Sequence, residues 1–458
     1  MSKVKRLFMF LVAMVLVFNL TACGNSKDNS NVSNKDAESD ETVTLKFMYF
    51  GTVLEKEAVA KMVESFEESH PNIKIDPIHV PDSDYNTKMA TLVAGNNEPD
   101  IAYLNESQLF AWAEEGKIMA LDDFLETDDN MKPEDRLDVG KYYLKDKLIG
   151  MNTAMETVVL YYNKDIFEEN KMPLPPSKTE GAWNWDEFVE VAKKLTIDYN
   201  GNHPDDPGFN PENIKQYGVT VSTHWIYLLP FVWSNGAEFA TEDGMTPLID
   251  SPEFVEAIQK ISDLMNVYHV APNPAQKKSM PGIDVALQTG QVAMAVGGQW
   301  SLLDLSESKQ NFGIGVLPKM KEPATIAFGA PTVIFSSTKH PEEAWEFYKY
   351  HNAVETAPSL FQNGLWMPME KKYYEDEDLM KQWIDNEAHP EEYKDAVVDF
   401  FIKSSHRAPT YTLKNWDKIY EMFSSDMDNV WLGNISAEEA LKKAADDIRP
   451  FMEGRYDQ

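Results

Sequence analysis

Few residues in this sequence have the type and spacing to do covalent chemistry. Its 458 positions contain a single cysteine, Cys23, so neither a disulfide nor a CxxC pair can form within the chain. The nine histidines are scattered without metal-ligand spacing. There is no GxSxG elbow, HExxH helix, Walker A lysine loop or Rossmann glycine fingerprint. Among 75 acidic residues some pair will always fall close together, so carboxylates alone do not argue for a glycosidase dyad. Asp198-Tyr199-Asn200-Gly201-Asn202 is rich in oxygen ligands but lacks the bidentate glutamate of a calcium loop, and an Asn/Gly turn is the favoured reading. The expectation is a protein that is not an enzyme and carries no cofactor or metal. What remains for recognition is 11 Trp and 19 Tyr, several beside loops at predicted strand ends. Such rings offer flat faces to an apolar patch, with neighbouring amides and carboxylates for polar groups at its rim.

The N-terminus places Lys3, Lys5 and Arg6 before an apolar run from Leu7 to Phe18. That run is shorter than the ~20 residues a bilayer needs, and the order is that of a secretory signal. It ends in Leu20-Thr21-Ala22-Cys23, which resembles the lipobox of bacterial lipoproteins. The resemblance implies cleavage after residue 22 and a lipid on the Cys23 sulfur, the only membrane anchor expected. Residues 23–41 are small, polar and nearly free of apolar side chains, a composition that reads as a flexible tether spanning roughly 25 Å. The formal charge of −33 becomes three units more negative once the signal is gone. A body so acidic repels phosphate backbones, which disfavours nucleic acid as a partner.

Structure is expected from Thr42 onward. Val43 to Tyr49 alternates and then turns apolar, as a buried strand does. Val59, Met62, Val63 and Phe66 follow at helical spacing, then a strand through Ile73 to Val80, a helix near Asp84 to Ala94, and a short strand at Ile101 to Leu104. This alternation predicts a parallel sheet covered by helices. From about Met151 the same pattern restarts. Val158 to Tyr162 reads as a strand, Asp186 to Leu195 as a helix with Phe188, Val191, Ala192 and Leu195 inward, and Tyr217 to Val221 as a strand. A helix opens at Pro252 with Phe254, Ile258, Ile261 and Met265 on its buried stripe. Strands recur at Val292 to Val296, Phe312 to Leu317 and Thr332 to Ser336. The last third reads as mostly helical.

Four segments, taken in order, resemble the extracellular solute-binding proteins of carbohydrate ABC transporters, the group that includes maltose-binding protein. They are Glu156 to Phe167, Trp183 to Thr196, Gln288 to Trp300, and Phe312 to Pro318. The resemblance implies an α/β fold of two lobes with a hinge and an interlobe ligand cleft. It divides the chain into lobe 1 (42–154 plus 313–355) and lobe 2 (155–312 plus 356–458), with crossings near Thr153 to Glu156, Phe312 to Pro318 and Ala353 to Gly364. It implies a carbohydrate ligand, permease subunits with an associated ATPase as partners, an extracytoplasmic location at the cell membrane, and a monomer.

The residues expected to hold the sugar follow from that mapping. Trp300 sits where the family stacks an aromatic ring on the ligand. Trp225 and Trp233 resemble the aromatic wall of the second lobe, and Trp366 lies in a loop that relatives place near the cleft. Tyr49, Asn105 and Glu106 stand at strand ends, where open α/β sheets bind ligands. Glu156 lies at a crossing, and Tyr161 or Tyr162 can face the cleft, though alternation forbids both. Arg407 reads as a surface ion pair rather than a ligand group. The alternatives are an extracellular enzyme acting on glycans and a binder of another solute, such as a peptide or polyol phosphate; the latter needs basic groups at a helix N-terminus.

Overall fold

The computed structural model describes residues 42–128, 130–409 and 412–458, so Cys23 and the tether lie outside the described residues. Among them no helix is long and apolar enough to cross a membrane. The first sheet has the strand order β2-β1-β3-β12-β5-β4, with β1 Val43–Phe50, β2 Ile73–Val80, β3 Ile101–Tyr103, β4 Lys141–Leu144, β5 Lys147–Asn152 and β12 Pro331–Ile334. Strands β1, β2 and β3 are parallel, as the alternation with helices requires. Helix α1, Val53–Ser69, buries Val59, Met62, Val63 and Phe66. Thr52 and Glu55 close its N-terminus as a reciprocal capping box. Helix α2 is Asp82–Ala94 and α3 is Glu106–Glu114.

The second sheet has the order β10-β6-β9-β8-β7, with β6 Val158–Asn163, β7 Ile197–Asp198, β8 Ile214–Thr220, β9 Val292–Gly298 and β10 Phe312–Gly315. Both sheets are mixed rather than wholly parallel: in the first, β12 pairs antiparallel with β3 and β5, and β4 with β5, and in the second only β8 and β9 run parallel. The helix Trp185–Leu195 and the helix Pro252–Asn266 bury the stripes their periodicity predicts. Strands β11, Thr325–Ala327, and β13, Ser405–Arg407, form a separate parallel pair.

The first crossing runs from Thr153 to Thr157, between β5 and β6, as expected. The second does not lie at Phe312 to Pro318. Strand β10 pairs antiparallel with β6, which keeps residues 312–315 in the second sheet, and the chain returns only at Phe328 to Ala330. The third is also later than Ala353 to Gly364. Met367 exchanges backbone bonds with Met155, and Met369 and Lys371 still bond Leu137 and Asp135 on the first-sheet side. The chain reaches the second sheet by Glu392, which accepts from the Tyr162 hydroxyl. The lobe limits at 313 and 356 move accordingly.

The first two crossings touch. Glu156 N–H donates to the Phe328 carbonyl at 2.8 Å, and Phe328 N–H returns a bond at 3.2 Å. Gly329 permits this approach: a Cβ there would fall 2.3 Å from the Ala154 carbonyl oxygen. Replacing Gly329 with alanine should therefore destabilise by about 1–3 kcal/mol, outweighing the ~0.4–1 kcal/mol that lost chain entropy in the unfolded state would return. A lower urea midpoint with an unchanged m-value is expected; an unchanged midpoint would show that the crossings do not constrain one another.

Candidate functional site

A cavity of about 490 Å³ lies where the carboxyl ends of β1 and β3 and the starts of several helices meet the crossings. The first-sheet side contributes Phe50, Thr52 and Glu55 from the β1–α1 junction, Asp82 and Asn86 from α2, and Asn105 and Ser107 from the start of α3. The second side contributes Trp225, at the head of the helix Trp225–Ser234, and Trp300, in the turn after β9. It also contributes Trp416 and Tyr420 from the helix Trp416–Trp431. Glu156 and the Phe328 to Ala330 crossing form the floor. A recess of about 30 Å³, room for about one water, continues between Glu55, Glu156, Tyr103 and Trp366.

The aromatic walls brace one another. Trp225 meets Trp416 edge-on at 5.7 Å, and Trp416 lies flat on Tyr420 at 5.9 Å. Trp300 meets Phe328 edge-on at 5.2 Å and remains partly exposed toward the cavity. Its ring lies directly over Gly298, where a Cβ would fall 2.1 Å from ring atoms. The polar rim is built from Asn105, whose side-chain N–H donates to the Asn86 amide oxygen at 2.7 Å, and from Ser107, whose hydroxyl donates to Asp417 at 2.9 Å across the cavity.

Of the residues expected from sequence, the cavity brings together Trp225, Trp300, Asn105 and Glu156, and Trp366 lines its recess. Three are elsewhere. Tyr49 is buried, stacked on Phe47 at 5.2 Å, because it lies on the inward face of β1 with Leu45 and Phe47. Tyr161 is fully buried, and its hydroxyl donates to the carbonyls of Gly298 and Gln299 at 3.2 and 3.0 Å. It supports the Trp300 turn from behind. Trp233 stacks on His406 at 5.0 Å and donates its indole N–H to Glu238. Glu106 begins α3, and its side chain lies outside the described residues. Arg407 donates to the Lys141 carbonyl at 2.9 Å, with its guanidinium 5.8 Å from the Tyr142 ring.

The Asp198 loop is a turn. Its carboxylate accepts from the N–H groups of Asn200, Asn202 and Asn210 and from the Asn202 amide. Burial pushes its pKa up, but these bonds outweigh burial and hold it below the usual range. Among the described residues no cluster could hold a metal ion.

Sequence reasoning missed Phe50, Glu55, Asp82, Trp416, Asp417 and Tyr420. For Glu55 a signal exists in Thr52-Val53-Leu54-Glu55, a capping box directly after a strand, which places the glutamate at a helix N-terminus at a strand's carboxyl end. A larger groove of about 840 Å³, lined by Lys132, Lys349, Lys371, Glu346, Glu355 and others, lies on the first-sheet side. Its charges are largely paired with one another and it has few aromatic faces, so the smaller cavity is the better candidate.

Burial shapes the titration of the site. It pushes Glu55 from its ordinary 4.5 up to about 7, with Asp82 and Asp304 adding repulsion and the Thr52 N–H opposing. It raises Asp82 as well, and it lowers His224, beside Trp225, to about 4, so that imidazole is neutral at pH 7.

A family model described as bacterial extracellular solute-binding protein matches residues 51–353. The chain is 23% identical to the maltodextrin-binding protein MdxE of Bacillus subtilis, over the full length of both. It is 24% identical to the sn-glycerol-3-phosphate-binding periplasmic protein UgpB of Rhizobium meliloti, covering 63% of this chain and 64% of that protein. Among solved structures, an ABC substrate-binding protein from Listeria monocytogenes in complex with cycloalternan superposes with a TM-score of 0.78 at 24% identity, covering 90% of this chain and 99% of that one. The fold is the two-lobe fold of such proteins.

The Glu55 shift makes a signed prediction. Below about pH 4.5 the carboxyl is protonated in both states and adds nothing. As pH rises toward about 7 the unfolded chain releases the proton while the native state keeps it, so burial of Glu55 destabilises increasingly and fully above that range. Glu55→Gln should match the parent near pH 4 and exceed it by about 1–3 kcal/mol at pH 8, after allowance for solvent at the cavity mouth. Urea unfolding at both pH values measures this. A difference that is constant across pH would rule out the raised Glu55.

Proposed function

The chain belongs to the bacterial extracellular solute-binding protein family, and from that premise we propose that it is the sugar-capturing receptor of an ABC importer, taking an oligosaccharide into the cavity between its sheets. The observation that carries this reading is the cavity's construction. Aromatic residues Trp225, Trp300, Trp416 and Phe50 line it from both sides, and hydroxyl partners Asn86, Asn105, Ser107 and Glu156 line it with them. A pyranose or furanose ring has apolar C–H patches on its faces and hydroxyls around its edge, and this pattern complements it. The name of the Bacillus relative, a maltodextrin-binding protein, supports the same class.

In the proposed cycle the open cleft admits the sugar, the rings stack, and the lobes rotate closed about the crossings while each sheet stays rigid. Ligand drives closure only by its greater affinity for the closed form. The closed form then docks on permease subunits, whose ATPase partner powers release. The receptor acts outside the cytoplasm as a monomer, held by lipid on Cys23, and it does not turn its ligand over. An anchored receptor stays concentrated near its membrane partner.

A thermal-shift panel of maltodextrins, arabino-oligosaccharides and galacto-oligosaccharides should raise the melting midpoint with at least one sugar and return it unhydrolysed. Trp300→Ala should weaken that binding about 10- to 100-fold, since a stacked indole contributes about 1.5–3 kcal/mol. Stabilisation by peptides alone, or release of shorter sugars, would overturn the reading. Metabolic labelling with a fatty-acid analogue should mark the chain in a bacterial host and fail for Cys23→Ser; equal labelling of both would remove the anchor.

A further inference from the structure

The family model leaves the charge of the ligand open, since a sugar polymer and a glycerol phosphate both appear in the names of similar proteins. The cavity addresses it. Five helices begin at its walls: α1, α2, α3, and those opening at Trp225 and Trp416. Their aligned N–H groups and positive dipole ends would suit an anion. At three of the five a carboxylate that lines the cavity stands in the first turn: Glu55 on α1, Asp82 on α2 and Asp417 at the Trp416 helix. Glu55 goes furthest, accepting the Thr52 N–H itself and so occupying the place an anionic ligand would take. Glu156 adds a fourth carboxylate at the floor. No lysine or arginine lies among the described residues lining the cavity.

We infer that Asp82 and Asp417 make the cavity a charge filter: it accepts uncharged glycans and rejects uronates and sugar phosphates of the same size. This deepens the proposed function and rests on it. Glu55 joins the two as it ionises around pH 7 and above. The repulsion acts in a partly desolvated space, where salt screens it less than at an open surface. Among the described lining residues no lysine or arginine stands beside Asp82 or Asp417, and His224 stays neutral at pH 7 because burial lowers it to about 4. The ends of α1, α2 and the Trp416 helix already carry the protein's own carboxylates, so an incoming anion gains little from those three.

The test is calorimetric titration of the mature chain with maltotriose, galactotriose and arabinotriose. Each is paired with its own derivative oxidised from a primary alcohol to a carboxylate, and with the methyl ester of that acid. For a trisaccharide that binds, the acid should bind about tenfold weaker or worse at low salt, since like charges brought together in an interface discriminate at this level. The ester, alike in size but uncharged, should recover most of the loss. The acid's deficit should also narrow in Asp82→Asn/Asp417→Asn, since both residues reach the solvent-accessible surface of the fold and amides replace them with little change of shape, and, at pH 8 where Glu55 is ionised, in Glu55→Gln. An acid within about threefold of its parent overturns the filter. So does a deficit that is unchanged in the ester and in the substituted proteins, which would make size the cause. Binding by none of the sugars in any form overturns the carbohydrate reading, and the filter falls with it.

Discussion

A chain that leaves one sheet and joins another must carry its backbone through the interior with no ladder to bond it, and that constraint governs this fold. Each unpaired buried N–H or C=O costs about as much as a lost hydrogen bond. Here the crossings satisfy one another, Glu156 with Phe328 and Met155 with Met367. Buried threonines complete the accounting. The Thr153 and Thr332 hydroxyls bond each other, Thr157 donates to the Ile326 carbonyl at 2.8 Å, and Thr325 donates to the Val158 carbonyl at 2.7 Å. Asn152 accepts from the Tyr142 hydroxyl at 2.7 Å. Threonine suits such a place because it is compact, β-forming and able to bond in two directions. The cavity floor is this laced crossing, so the site and the region about which the lobes would turn are one piece of structure.

The walls are joined more lightly than the floor. Ser107 reaches Asp417 through one hydrogen bond, and Phe110 of α3 stacks on Tyr456 near the C-terminus at 4.9 Å. Each contact is of order 1 kcal/mol. Parting the walls thus breaks little, whereas parting the floor would strand several buried polar groups. A ligand that touches both walls acts on an equilibrium within reach of its own binding energy, because a few kcal/mol of differential affinity moves a two-state population from one side to the other.

Local pattern was legible and non-local pairing was not. The stripes at Val59 to Phe66 and at Phe254 to Met265 face the core because helical spacing leaves little choice. The apolar run at Phe312 fits either sheet equally well by composition, and only its pairing with β6 decides, so the second crossing was misplaced. The site divides in the same way. Trp225, Trp300, Asn105 and Glu156 adjoin strand ends or crossings and could be found from their neighbours in sequence. Trp416 and Tyr420 sit on a helix more than 100 residues after Trp300, and nothing local distinguishes them from core aromatics. Trp233 fails for a geometric reason: eight residues along a helix from Trp225 is about 12 Å down the axis. Tyr161 fails because alternation assigns faces only when one face is solvated, and its strand is buried on both sides; Tyr49 fails because it shares the inward face of β1 with Leu45 and Phe47, opposite exposed Thr44 and Lys46.

Tyr161 shows why a residue that a ligand never meets belongs in the account of the site. The turn after β9 is held from several directions. Gln299 N–H donates to the Thr157 carbonyl at 2.8 Å, its side-chain amide donates to the Gly364 carbonyl at 2.8 Å, and Tyr161 donates to the carbonyls of Gly298 and Gln299. Gly298, lacking a Cβ, lets the Trp300 ring lie against the backbone so fixed. Immobilising a flexible side chain on binding typically costs about 0.5–1.5 kcal/mol, and a ring already packed on Gly298 and Phe328 has little of that freedom left to lose. The same β9 turn ties to Thr157 at the end of the first crossing and to Gly364 on the chain leading into the third. The proposed stacking platform, Trp300, is therefore referenced to the crossings, and rotation about them would carry it toward the opposite wall as a rigid face.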